Sequence, residues 1–128
     1  ALIGSPAYDL MSLLEDARRD ISAGLKQHCL DRYFMQMANF DPHFPSADIL
    51  TPWLNVLAAQ RHAKVLGIFV RLCQRDHKPL YLRHLPRVLA LYRHAIEREP
   101  CLAPIAQWMA ENLPFNAINL HKLNTLSA

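Results

Sequence analysis

Residues 46–72 read SADILTPWLNVLAAQRHAKVLGIFVRL, and this stretch decides the fold. Trp53, Leu54, Leu57, Ala58, Val65, Leu66, Ile68, Phe69 and Leu72 recur at the spacing of an α-helix rather than in the alternation of a strand. They cover more than one face, so the spacing predicts a central, mostly buried helix. Its start is either Ser46, or Thr51 with Pro52 in the first turn. Gly67 interrupts it at an intrinsic cost of about 1 kcal/mol relative to alanine. That cost predicts a close backbone contact between this helix and another.

The same period extends in both directions. Toward the N-terminus, Ser5 can cap a helix that Pro6 opens, since proline's missing N–H does no harm at the first helical position. Tyr8, Leu10, Met11, Leu13, Leu14 and Ala17 supply its buried face, and Asp9 lies in the first turn, where the helix dipole favours a negative charge. A second helix carries Leu25, Cys29, Leu30, Tyr33, Phe34 and Met37; Pro42 and Pro45 then force a loop. Beyond the central helix, Arg75-Asp-His-Lys-Pro79 is a turn and residues 80–85 a single helical turn. Pro86 opens a fourth helix, Pro100 a fifth, and Pro114 stops it; the tail from Phe115 to Ala128 carries no assignment. The expectation is an all-α bundle of five to six helices, spanning about 6–19, 22–37, 47–73, 86–98 and 101–113, in one domain over residues 1–128.

Composition agrees with one globular unit. The 128 residues are 52% hydrophobic and 20% charged, enough apolar surface for a core. No apolar run reaches the roughly 18 residues that span a bilayer, so no membrane is expected. Ala1 to Asp9 lacks the basic start of a signal peptide, which points to the cytoplasm. Cys29, Cys73 and Cys101 are odd in number and widely spaced, which favours buried free thiols over a reactive thiol.

Charge is uneven. Asp9 to Asp48 holds seven acidic and four basic residues, whereas Gln60 to Glu99 holds nine basic and three acidic ones. The second half therefore faces either water or an anion such as a phosphate, an acidic sugar or nucleic acid.

Several chemistries lack their residues. The seven histidines form neither a metalloprotease motif nor, with the cysteines, a zinc quartet, so His28, His62, His77, His84 and His94 read mostly as surface residues and no metal site is expected in this chain. No Gly-x-Ser-x-Gly elbow occurs, and three separated glycines cannot build a phosphate loop. No nucleic-acid motif stands out. Glu15 and Asp16 are adjacent, about 100° apart on a helix, so they do not share one site.

One local pattern stands apart: Gln60-Arg-His-Ala-Lys-Val-Leu-Gly-Ile-Phe69. Gln60, Arg61 and Lys64 share a flank of an otherwise apolar helix. Burying such cations without partners costs several kcal/mol each. They must reach a carboxylate of the acidic first half (Asp9, Glu15 or Asp16), an anionic ligand, or water.

With these residues in view, the chain resembles the aminoglycoside phosphotransferase and choline kinase-like family. The opening Gly4-Ser-Pro-Ala-Tyr-Asp-Leu10 is similar to the segment that follows that family's metal-binding Asp-Phe-Gln-Asp motif. The stretch from Gln60 to Phe69, with Arg71-Leu-x-x-Arg-Asp76 and Lys78-Pro-x-Tyr-Leu82 behind it, looks like the same family. Its bacterial cell-wall amino-sugar kinases, for N-acetylmuramate and N-acetylglucosamine, are the branch most like it. The resemblance covers roughly residues 3–113.

That resemblance implies the helical C-terminal subdomain of a protein-kinase-like fold, and an ATP- and Mg²⁺-dependent transfer to a small-molecule hydroxyl, an amino sugar being favoured. Such a transfer needs metal-held phosphates, a lysine clamp and an aspartate that orients the hydroxyl. In the family the carboxylate roles sit in His-Gly-Asp and Asp-Phe motifs, and this sequence contains neither. The expectation is a chain inactive in isolation, whose partners are the N-terminal and catalytic segments of the same protein. By position, Asp9 supports the catalytic loop or simply serves as a helix N-terminal charge, and Gln60, Arg61 and Lys64 line the acceptor pocket. A basic helical module for nucleic acid and a non-catalytic scaffold are the alternatives.

Overall fold

The computed structural model describes residues 4–112, and among them all regular structure is helical. Five α-helices follow in order: α1 (Pro6–Leu14), α2 (Ala23–Phe40), α3 (Ala47–Asp76), α4 (Leu85–Arg98) and α5 (Ala103–Asn112). Short 3₁₀ turns, Pro79–His84 and Pro100–Leu102, lead into α4 and α5.

Local chemistry sets most boundaries. The Ser5 side chain accepts from the Ala7 amide and Pro6 opens α1; Ser22 accepts from the Leu25 amide and opens α2. Asp41, extended ahead of Pro42, closes α2. α3 starts at Ala47 behind Ser46 and runs 30 residues, carrying Pro52 inside rather than at its start. His77 ends it in the left-handed conformation, φ 51°.

Several boundaries differ from the sequence expectation, and α3 is one of them: it runs on to Asp76 rather than 73, so Arg75 and Asp76 are helical and the turn begins only at His77. α1 ends at Leu14, not near residue 19, because Glu15 leaves helical geometry (φ −122°, ψ 41°) and turns its carboxylate into the molecule. Residues 101 and 102 lie in a 3₁₀ turn, so α5 begins at Ala103. α2 continues to Phe40. The expected end of the fifth helix at Leu113 and the tail beyond lie outside the described residues.

α3 is the axis. α1, α4 and the first 3₁₀ turn pack on it, and α5 packs on α4. The core gathers Ala7 and Met11 of α1, Leu50, Leu54, Ala58 and Ala59 of α3, Ala95 and Ile96 of α4, and Met109 of α5. Four of these nine are alanines, which lets helix backbones approach closely. A second patch, Phe69 against Tyr81 and His84, seats the 3₁₀ turn. α2 buries no residue fully and rests on the core through Leu30 and Phe34.

α3 is less buried than its composition implies. Trp53 is 54% exposed and Ile49 57%. Gly67 is exposed, and a Cβ there meets nothing within 4 Å among the described residues. The close helix contact expected at Gly67 is therefore not made. The cysteines depart as well: Cys101 is exposed, and Cys29 and Cys73 are half-buried. Lost hydration and the Glu99 carboxylate hold the Cys101 thiol above its usual range, which keeps it protonated.

Candidate functional site

Where α1 ends against α3, successive carboxylates turn opposite ways. Glu15 is buried, and its Oε2 accepts from His62 Nε2 at 2.7 Å; its Oε1 accepts from Lys26 Nζ. Burial alone pushes the Glu15 carboxyl up. The hydrogen bonds from His62 and Lys26, with the Lys26 and His62 charges behind them, outweigh it and lower the pKa to about 2. The ionised carboxylate only accepts, so the His62 ring nitrogen facing it donates. His62 is 2% exposed, so the surface state expected of most histidines does not apply to it.

Asp16 turns outward. Its Oδ1 accepts from the Arg18 amide at 2.7 Å, and both oxygens accept from the Arg18 guanidinium at 3.3 Å. These bonds hold the Asp16 carboxyl below its ordinary range, and the Arg61 charge adds to them.

The sequence-derived residues lie on the same flank of α3. Gln60 and Lys64 are exposed, and Arg61 is half-buried. Among the described residues neither Arg61 nor Lys64 forms an ion pair; Glu15 and Asp16 are already taken by other partners. Arg61 Nη1 is shielded from solvent yet hydrogen-bonds to no described residue. The internal salt bridge weighed for these cations is thus absent here. Asp9 is exposed in the first turn of α1; burial and the Asp9 charge together raise the Tyr33 hydroxyl on α2.

A cavity of about 160 Å³ opens beside Glu15 and Lys26. Its apolar floor includes Phe34 and Leu54, and Glu15, Lys26, Asn55 and Arg98 stand on its walls. None of Gln60, Arg61 or Lys64 reaches it. The described residues hold no group of three His, Cys, Asp or Glu side chains placed to bind a metal ion. No described helix is long and apolar enough to cross a membrane.

The chain is similar to N-acetylmuramate/N-acetylglucosamine kinases. That of Caulobacter vibrioides is 35% identical over 114 residues, covering 89% of this chain and 30% of the relative. That of Pseudomonas aeruginosa is 35% identical over 118 residues, 91% and 35% respectively. That of Neisseria meningitidis is 36% identical over 112 residues, 87% and 34%. The chain therefore spans about a third of the length of the curated relatives it matches. No family model matches the sequence.

Sequence reasoning placed Glu15 among the possible partners of Arg61 and Lys64 but missed its true partners. The available signal was helical phase: His62 follows Arg61 by one residue, about 100° of rotation, which carries it from the flank to the core face. Lys26, on a helix with no fully buried residue, gave no such signal.

Proposed function

We propose that this chain is the acceptor-side helical part of an ATP-dependent kinase that phosphorylates a hydroxyl of a small molecule, an amino sugar of the N-acetylmuramate and N-acetylglucosamine class. The observation that carries the reading is the 33–36% identity to kinases of that name over 87–91% of the chain. The all-helical architecture is consistent with the helical C-terminal subdomain of a kinase-like fold.

In this reading ATP and Mg²⁺ bind to segments of the protein beyond these residues, and the chain alone is inactive. The described residues contribute binding and orientation, which lower a transfer barrier by holding the acceptor hydroxyl in line. Gln60, Arg61 and Lys64 line the acceptor pocket. The unspent Nη1 of Arg61 favours a partner arriving from outside the described residues. Asp9, at the start of α1, braces the catalytic loop. The protein works in the cytoplasm.

The test is direct. The complete protein is incubated with Mg-ATP and N-acetylmuramate or N-acetylglucosamine, and phosphorylated sugar is measured by mass spectrometry. ATP-dependent product is expected. Absence of transfer to either sugar or to any other small alcohol rejects the reading.

A further inference from the structure

Away from Gln60, Arg61 and Lys64, the α1–α2 connection, the first 3₁₀ turn and α4 surround an open hollow of about 640 Å³. Arg18, Arg83 and Arg87 line it with Asp20, and Asp16 pairs with Arg18 at its edge, so three cations against two carboxylates leave one positive charge in excess, that of Arg83. His84 and His94 complete the polar wall.

The frame is fixed by Arg87. Its Nε donates to the Asp16 carbonyl at 3.2 Å, its Nη2 to the Arg19 carbonyl, and its Nη1 to the Asp20 carboxylate. The other cations keep donors to spare. Arg18 gives Nε and Nη2 to Asp16, which leaves its Nη1. Arg83 turns Nε toward His84 Nε2 at 3.3 Å, and neither terminal nitrogen hydrogen-bonds to a described residue.

We propose that this hollow binds a compact oxyanion, phosphate or a phosphate monoester, held by Arg18, Arg83 and the ring of His84. Guanidinium forks match the oxygens of such a group, and charge-assisted bonds are the strong ones. The rings respond to the same charge. Burial first, then Arg83 and Arg18, hold His84 below its ordinary range against the pull of Asp16. Burial, then Arg98 and Lys26, lower His94 against Glu15 and Glu97. A bound anion supplies negative charge, so binding raises both rings; because the ligand's own second ionisation falls in the same range, the ring titrations rather than the affinity read the effect. None of the acceptor-pocket residues takes part, so this site and the proposed function stand or fall separately.

The test uses the complete protein with isotope-labelled histidine and arginine, titrated at constant ionic strength with inorganic phosphate and, separately, with a hexose phosphate. Saturable shifts confined to Arg18, Arg83, His84 and His94 are expected, with both histidines titrating at higher pH in the bound form. Arg18→Ala with Arg83→Ala should weaken binding by about tenfold or more. Arg83→Gln alone, at an exposed position, supplies a milder variant. Arg32→Ala, which removes an exposed cation on α2, should leave binding unchanged. Tighter binding of the hexose phosphate identifies a monoester as the ligand, weaker binding identifies free phosphate, and equal binding shows that the phosphoryl group alone is recognised, each of which supports the proposal. Non-saturating shifts, an equal loss in Arg32→Ala, or a response only to a nucleic-acid oligomer overturns the proposal.

Discussion

Glu15 shows how one side chain couples helix geometry to stability. Leaving α1 at the C-cap carries its carboxylate to His62 on α3 and Lys26 on α2. Its folded pKa lies near 2 against an ordinary 4.5, so the stabilisation is complete above about pH 4.5 and disappears as pH falls from there toward 2. The shift corresponds to an order of about 3 kcal/mol. Chemical denaturation of the chain between pH 7 and 2 should show that loss, and Glu15→Gln should remove the part of the pH dependence that lies between about 4.5 and 2 and belongs to Glu15. Glu15→Leu should cost about 3–5 kcal/mol at neutral pH, because it leaves Lys26 and His62 without their acceptor. A variant with an unchanged unfolding midpoint would deny the triad its role. Sequence reasoning saw a carboxylate open to cations. It could not see which ones, because the choice depends on where α1 stops.

Helix caps were the readable part at the scale of elements. Ser5 with Pro6, Ser22, and Pro42 each act through neighbours one to three residues away, and they start or end helices close to where the sequence implies. Boundaries set by tertiary contact were not readable, and the end of α1 is the example. Arg87 also belongs here, since it ties α4 to the α1–α2 connection. Its ion pair with Asp20 adds little, because Asp20 is 91% exposed. The two bonds to backbone carbonyls carry the effect. Arg87→Ala should therefore destabilise by about 1–3 kcal/mol and speed hydrogen exchange of the amides of residues 16–21; unchanged exchange would contradict it. Gly67 gives the opposite sign. With open space around it, Gly67→Ala should stabilise by about 1 kcal/mol and raise Tm by a few degrees. Loss of stability would mean that a neighbour outside the described residues approaches this point.

Across the whole molecule, the acidic first half meets the basic second half where Asp20 pairs with Arg87, while Asp16 pairs within its own half. Asp16 and Asp20 turn toward Arg18 and Arg87, and Arg83 is left over at the hollow. The candidate acceptor surface was only partly legible. Phase put Gln60, Arg61 and Lys64 on one flank, but it does not say what that flank faces. The exposed Trp53, Phe40 and Trp108 belong to the same scale. Scattered singly on α3, α2 and α5, they are ordinary surface residues. In the proposed function the α3 flank holds the acceptor. Steady-state kinetics of the complete protein carrying Arg61→Ala with Lys64→Ala test it most directly. The KM for the amino sugar should rise about tenfold or more while the KM for ATP and the Tm stay constant. Unchanged acceptor KM, or an equal rise in both constants, would contradict it.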